Sequence, residues 1–263
     1  MLERREPNGT WGGGLYSPKW TSTFYTLRLL TQLGIPPTNR EARASTRLLL
    51  EQGVSESGGV SLWSGEWTDT CVTGMLLRMA CYFGFNNEEH TRRMTTWLLG
   101  EQMSDGGWNC GWNRGGATHA SFHTTISTLE GFASFASTRL DARIERAMVA
   151  GRSFFLKHQL YRSCRTGKIV RSSFAKLSFP PRWYFDVLRG LEHFCEVNAP
   201  WDSRLSDAVS VLEARRNRDG RWTAQNNHPG RTFFRLEEAR RPSRMNTLRA
   251  LRVLRWVDAQ RGE

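Results

Sequence analysis

The sequence predicts an all-α fold, an α/α toroid in which inner helices ring a cavity and outer helices ring them, and three observations predict it. A glycine- and aromatic-rich turn recurs along the chain, an apolar helical stretch follows each turn, and a more charged helical stretch precedes each of the later four. Alternation of β-branched with polar residues, the mark of strands, is nearly absent. Repetition at this scale is the signature of stacked two-helix units.

The turns read NGTWGGG from Asn8, SGGVSLW from Ser57, SDGGWNCGW from Ser104 and RDGRW from Arg218, with a weaker member, RTGKIVRSSF, from Arg165. Their glycines, Gly9, Gly58, Gly106, Gly167 and Gly220, lie 49, 48, 61 and 53 residues apart. The apolar stretches run from Ser22 to Leu33, Asp69 to Phe83, Phe122 to Phe135, Trp183 to Phe194 and Met245 to Trp256. In the second, Val72, Gly74, Met75, Leu76, Leu77, Met79 and Ala80 cover most of the circumference, which suits a helix enclosed by neighbours. The charged stretches run from Asn39 to Gln52, Glu88 to Gln102, Asp141 to Gln159 and Ser203 to Arg216. In the second of these Met94, Trp97 and Leu98 oppose Glu89, Arg92 and Arg93, as an amphipathic outer helix requires. Five inner and four outer helices fall short of six pairs, so the toroid is expected to be incomplete at its N-terminus or slightly open.

With 263 residues, 39% of them apolar and 24% charged, and with 11 Trp and 14 Phe, the chain has the material for one large core, and we expect a single domain over residues 1–263. Disordered, collagen-like and mini-protein classes are excluded. The absence of an apolar run of about 18 residues, or of a leader-like apolar stretch in MLERREPNGTWGGG, points to a cytoplasmic protein without a transmembrane segment. The five cysteines are scattered and odd in number, which favours reduced thiols over a disulfide framework. A surplus of 37 basic over 25 acidic residues gives +12. No basic tail, zinc-finger spacing or RNA-binding aromatic motif accompanies it, so nucleic acid is a disfavoured partner.

The segment GEQMSDGGWNCGW resembles the glutamine-aspartate-tryptophan repeat of squalene cyclases and of protein prenyltransferase β subunits, which share the α/α toroid. The likeness spans roughly Thr10 to Asp258. It is specific for fold and not for reaction, since cyclases, prenyltransferases and binding toroids share it. Read from the residues alone, Gln102 and Asp105 cap a helix end and the next turn, while Trp108 packs between helices.

A second, narrower resemblance implies chemistry. WTDTCVTGMLLRMACYFG places Asp69 and Cys71 in an Asp-x-Cys arrangement that looks like the zinc segment of the prenyltransferase β subunits. Their third ligand is a His one repeat on, and SFHTTISTLEGF offers His123 there. The resemblance implies Zn²⁺ held by Asp69, Cys71 and His123, with an open fourth position as catalytic zinc requires. Without it, Asp69 reads as an N-cap, Cys71 as a small core residue and His123 as a core histidine. His119, four residues earlier, is a candidate catalytic or rim residue.

Departures narrow what transfers. The residues before the Asp-x-Cys are Ser64, Gly65, Glu66 and Trp67, and the next after it is Val72, where the prenyltransferases carry basic and aromatic groups for diphosphate. The chain has no adjacent Asp pair and no DDxxD, which disfavours classical terpene cyclisation. FPPRWYFDVLRGLEHF adds Arg182 and Tyr184 as candidate substrate-orienting and proton-donating residues, against a plainer reading in which Pro181 starts a helix and Asp186 pairs with Arg189. The cluster HQLYRSCRTGK contributes His158, Tyr161, Arg162 and Arg165, and nine Arg against three acids between Arg215 and Arg244 read as a solvated rim or an anion site.

The leading functional expectation is therefore a zinc-dependent, prenyltransferase-like enzyme. It would move an alkyl or prenyl group onto a zinc-activated thiolate in a cavity lined by Trp63, Trp67, Trp108, Phe122, Trp183 and Tyr184. Its partners would be an apolar or isoprenoid-like substrate, a thiol acceptor and an additional subunit. Two alternatives stay open: a zinc hydrolase with His119, Glu66 or Glu130 as base, and a non-catalytic binding toroid.

Overall fold

The computed structural model describes residues 1–63, 67–112, 115–138, 141–238 and 240–262. Nine α-helices account for most of the described regular structure: α1 (Thr23–Gln32), α2 (Arg40–Gly53), α3 (Thr70–Tyr82), α4 (Glu89–Gly100), α5 (Phe122–Ala136), α6 (Ala142–Lys157), α7 (Val187–Glu196), α8 (Ser206–Ala214) and α9 (Arg244–Arg261). The described sheet is one antiparallel pair, β1 (Trp222–Thr223) and β2 (Pro242–Ser243), with Trp222 opposite Ser243. The all-α class expected from the repeats is what the chain adopts. It falls into two compact units, unit 1 (Met1–Gly151 with Gly230–Phe233) and unit 2 (Arg152–Pro229 with Phe234–Glu263).

All five turn glycines have positive φ, between 68° and 99°. At Gly106 the reason is twofold: φ is 93°, and an added Cβ would lie 2.6 Å from the Ala150 carbonyl oxygen. Two residues after the glycine the chain enters the core. Trp11, Trp108 and Trp222 stand at that place, all wholly buried. Each indole N–H donates to a carbonyl ten residues back: Met1 at 2.9 Å, Leu98 at 2.8 Å and Leu212 at 2.7 Å. The backbone N–H at that place donates to a threonine hydroxyl in the first turn of the following helix. The pairs are Trp11 with Thr23, Val60 with Thr73, Trp108 with Thr125 and Trp222 with Thr247, at 2.9 to 3.1 Å. One glycine, one buried side chain and one threonine thus clamp turn to helix, repeat after repeat. The weaker turn lacks the clamp's apolar member, since Ile169, two residues past Gly167, is 49% exposed.

The polar residues of the third turn are structural, as their residue types suggested. Gln102 donates to the carbonyls of Gly106 and Ala147, and Asp105 accepts from the N–H groups of Gly107 and Ala120.

Within unit 1, α1, α3 and α5 are buried almost all round, whereas α2 and α4 bury single stripes, Ala42, Ser45, Thr46, Leu49 and Leu50 in one and Thr91, Met94, Thr95 and Leu98 in the other. α3 and α5 pack backbone to backbone. A Cβ on Gly131 would lie 2.5 Å from the Gly74 carbonyl oxygen, and one on Gly74 would lie 2.6 Å from that of Ser127.

Two expectations need correction in unit 2. The fourth inner helix starts at Val187 and not at Trp183, because Asp186 caps it by accepting from the Arg189 N–H at 2.9 Å, and Arg182 before it takes a left-handed φ of 56°. The fifth inner stretch, α9, is not enclosed: Asn246, Arg249, Ala250, Val253, Trp256 and Val257 are buried, but Leu248 and Leu251 are more than 40% exposed. Its arginines at 252 and 255 recur at helical spacing and keep that face in solvent.

Candidate functional site

In unit 1 the starts of α1, α3 and α5 bring together a group of aromatic, thiol and carboxylate side chains. Tyr16 is its centre. Its ring lies 5.0 Å from that of Trp63, 5.4 Å from Tyr25 and 5.5 Å from Phe24, centroid to centroid, and its hydroxyl is 3.1 Å from that of Tyr25. Trp20 stands edge-on to Tyr25 at 4.7 Å. Burial pushes the Tyr16 phenol well above its ordinary value, the Tyr25 hydrogen bond opposes this, and Cys71, Asp69 and Cys110 add to the rise. Burial likewise raises Tyr25, with Tyr16 adding to it. The two phenols therefore stay protonated through the neutral range.

Cys71, in the first turn of α3, donates its backbone N–H to Cys110 Sγ at 3.3 Å, and Cys110 Sγ lies 3.5 Å from Thr124 Oγ1 at the start of α5. The Cys110 thiol is held below its ordinary value chiefly by its hydrogen bond with Cys71, against burial and the Asp69 charge. Asp69 occupies the N-cap position of α3, yet its side chain makes no capping hydrogen bond. The plain N-cap reading of Asp69 is thus not how the carboxylate is used. His123 is the second residue of α5, and its carbonyl accepts from Ser127 Oγ.

The structure brings Asp69 and Cys71 to shared neighbours, Tyr16 and Cys110. Among the described residues, however, no three His, Cys, Asp or Glu side chains group as metal ligands. His119 is exposed, lies outside α5 and sits 3.3 Å from Thr118 Oγ1 through Nδ1. Glu130 is buried between Arg28, at 3.4 Å, and Arg78, at 3.9 Å, an arrangement that suits a fixed carboxylate better than a base. Glu66 lies outside the described residues, as do Ser64 and Gly65.

Of the aromatic wall expected, Trp63 joins the Tyr16 group. Trp108 does not line a site: it is fully buried, 5.7 Å from the Phe132 ring. Phe122 is buried, while Trp67 and Trp112 are 53% and 48% exposed. These two indoles stand two residues from Asp69 and Cys110 respectively.

Unit 2 holds the second polar group. Tyr184 is stacked between Trp183 and His228, both rings 3.9 Å away. Asp186, almost wholly buried, accepts from Ser178 N–H and Oγ as well as capping α7. The Arg189 guanidinium donates to the carbonyls of Trp183 and Tyr184. Arg182 is 6% exposed. Burial holds the His228 imidazole down, from 6.5 to about 4; Asp186 opposes this, and Arg182 and Arg189 reinforce it. Its Nε2 is buried without a hydrogen-bond partner. The His158, Tyr161 and Arg162 cluster is a brace: Tyr161 and Arg162 both donate to Asp207 of α8, and His158 Nδ1 meets the Arg162 carbonyl. Arg165 is exposed, and of the nine arginines between 215 and 244 all but Arg215 are exposed, as the solvated-rim reading required.

Sequence reasoning missed Tyr16, Tyr25, Cys110 and His228. A signal existed for two of them. Tyr16 and Cys110, like Trp63, lie between a turn glycine and the inner helix that follows it, so this connecting segment supplies the site in repeat after repeat.

No protein-family model matches the sequence, and no curated protein does. Among solved structures the chain is similar to the type II terpene cyclase MstE from Scytonema, with 15% identity, a TM-score of 0.38 and coverage of 98% of this chain and 94% of that one. A variant of that cyclase in complex with geranylgeranyl dihydroxybenzoate matches with 14% identity, a TM-score of 0.39 and 99% and 94% coverage. A protein from Actinoplanes matches with 16% identity, a TM-score of 0.37 and 97% and 95% coverage. Among the described residues no helix is long and apolar enough to cross a membrane.

Proposed function

We propose that the chain is a toroid protein of the terpenoid type that takes an extended, apolar, isoprenoid-like molecule at the Tyr16 end of unit 1. The observation that carries this reading is the aromatic group of Tyr16, Phe24, Tyr25 and Trp63 set beside a carboxylate and two thiols. An apolar wall with a few convergent polar atoms is the usual composition of a small-molecule site. The exposed indoles of Trp67 and Trp112 stand on the segments that carry Asp69 and Cys110.

Two phenols kept protonated by burial make Tyr16 and Tyr25 donors of hydrogen bonds at neutral pH. Asp69 and Cys110 then orient the polar end of the ligand, and the rings hold its chain. Alkyl or prenyl transfer to a thiol on Zn²⁺ at Asp69, Cys71 and His123, with a separate acceptor and a partner subunit, is the finer form of this proposal. It stands or falls on metal content and not on side-chain geometry. In unit 2, Tyr184 and Arg182 are proposed as a separate polar anchor, with neutral His228 as a proton acceptor.

Thermal shift with isoprenoid alcohols and diphosphates, measured beside small polar metabolites, tests the reading. At a ligand concentration near a hundred times Kd the stabilisation is about 2.7 kcal/mol. Replacing Trp63 with Ala should weaken that response at least tenfold in apparent affinity, roughly 1.4 kcal/mol. A response to polar metabolites alone overturns the reading. Metal analysis of zinc-supplied protein decides the finer form: one zinc per chain, lost in Cys71→Ala, supports thiol transfer, and metal-free protein leaves a binding toroid.

A further inference from the structure

We infer that Cys71 and Cys110 form a reversible disulfide, a thiol pair that exchanges electrons with low-molecular-weight disulfides. This goes beyond the ligand reading above and does not rest on it.

The geometry is specific to these two sulfurs. Cys110 Sγ lies 3.3 Å from the backbone nitrogen of Cys71, and the two side chains hydrogen-bond to one another. The Cys71 nitrogen is one bond from its Cα and two from its Cβ, so the Cys110 sulfur lies within reach of the Cys71 side chain, and proximity of this kind is the first requirement of a disulfide. The pair also joins different elements: Cys71 is in the first turn of α3, while Cys110 is in the turn that leads to α5, 39 residues on. Cys81 cannot compete for Cys71, because it is ten residues further along the same helix, about 15 Å away at 1.5 Å per residue. Both members of the pair are half-buried.

The exchange balances as two displacements. One cysteine sulfur attacks a sulfur of RS–SR, forming a protein–SR mixed disulfide and releasing one RS⁻. The second cysteine then attacks the protein sulfur of that mixed disulfide, closing Cys71–Cys110 and releasing the second RS⁻. The two protein thiols lose two electrons and two protons, and RS–SR gains them as two RSH. Once closed, the bond ties the first turn of α3 to the turn before α5 beside Tyr16, and it removes both thiols from the polar side of the site.

Full-length protein incubated with oxidised glutathione, then denatured, alkylated and mapped by mass spectrometry, tests the inference. The expected product is a cross-linked peptide pair containing Cys71 and Cys110, with loss of both alkylated forms together and their return on treatment with dithiothreitol. Cys71→Ser and Cys110→Ser should each abolish the link and leave a glutathione adduct on the remaining cysteine, whereas Cys164→Ser should leave the link intact. Exposed Cys164 is the internal control for reagent activity. If Cys164 is glutathionylated while Cys71 and Cys110 remain alkylatable, carry separate adducts or pair elsewhere, the inference is overturned. Mapping the wild type alone distinguishes these outcomes even where a serine variant loses its helical circular dichroism.

Discussion

Two pairs of helices fill the same role in the repeat by different physics. In unit 1, α3 and α5 meet through small residues, with Gly74 and Gly131 so close that neither tolerates a Cβ without movement. The hydroxyls along this seam are satisfied within their own helix: Ser127 donates to the His123 carbonyl at 3.0 Å and Thr128 to that of Thr124 at 3.1 Å. In unit 2, α7 and α9 are joined by charge. Arg249 of α9 makes a two-pronged contact with Glu192 of α7, at 2.5 and 2.8 Å, and also donates to the Ser178 carbonyl and to Asn246. The difference teaches that the repeat specifies where helices go, and that close approach or a buried ion pair can each hold them there. A seam held by close packing is broken by volume; one held by charge is broken by removing a partner.

The largest effect is expected at the packed seam. Gly131→Val forces two branched methyls against the Gly74 backbone, and the gain in helix propensity over glycine, below about 1 kcal/mol, cannot offset it. Overpacking of this kind costs about 3 kcal/mol or more, read as a shift of the urea midpoint. A midpoint within error of wild type would show that α3 and α5 can part freely, and the contrast between the pairs would collapse.

A smaller loss, about 2–3 kcal/mol, is expected for Arg249→Met. Removing one partner strands the other charge, but Glu192 keeps about a third of its side chain in water, which softens the penalty. The comparison sharpens if the double variant Arg249→Met, Glu192→Met recovers part of the loss, since an apolar pair then replaces the ionic one at similar volume.

At neutral pH the smallest effect is expected at His228 of unit 2, which brings a dependence on pH instead. Burial lowers the His228 pKa from 6.5 to about 4 in the folded chain, so between those values the unfolded chain binds the proton and the folded chain does not. Stability should therefore fall as pH drops from 6.5 towards 4, and His228 adds no such dependence above 6.5. In His228→Phe, which keeps a ring against Tyr184, that component should vanish. Melting curves of the two proteins that run parallel from pH 7 to pH 4 would show that His228 does not cause it.

Much of the fold was legible because its signals are local. The second and third inner stretches, set at Asp69 to Phe83 and Phe122 to Phe135, became α3 and α5 within a residue at each end. The fourth was misplaced at its start, because Trp183 and Tyr184 look helical in composition while Asp186 actually caps the helix. Less of the candidate site could be read. Asp69 and Cys71 were marked by their resemblance to the zinc segment of prenyltransferase β subunits, but Cys110 was hidden inside a turn motif whose glycine and tryptophan have structural jobs. Tyr16 was hidden in the same way, as a single aromatic after a run of glycines.

What the sequence determined by itself is the repeat: a glycine where φ must be positive, a buried residue two places on, and a threonine that waits in the next helix. These are short-range requirements of backbone and hydrogen bonding, and each leaves its residue type at a fixed place. Only the tertiary structure decided that Cys71 meets Cys110 across 39 residues, that Arg249 meets Glu192 across 57, and that His228 stacks on Tyr184. Such encounters depend on how helices and connecting segments pack in three dimensions, where the separation along the chain carries no information about who is opposite whom.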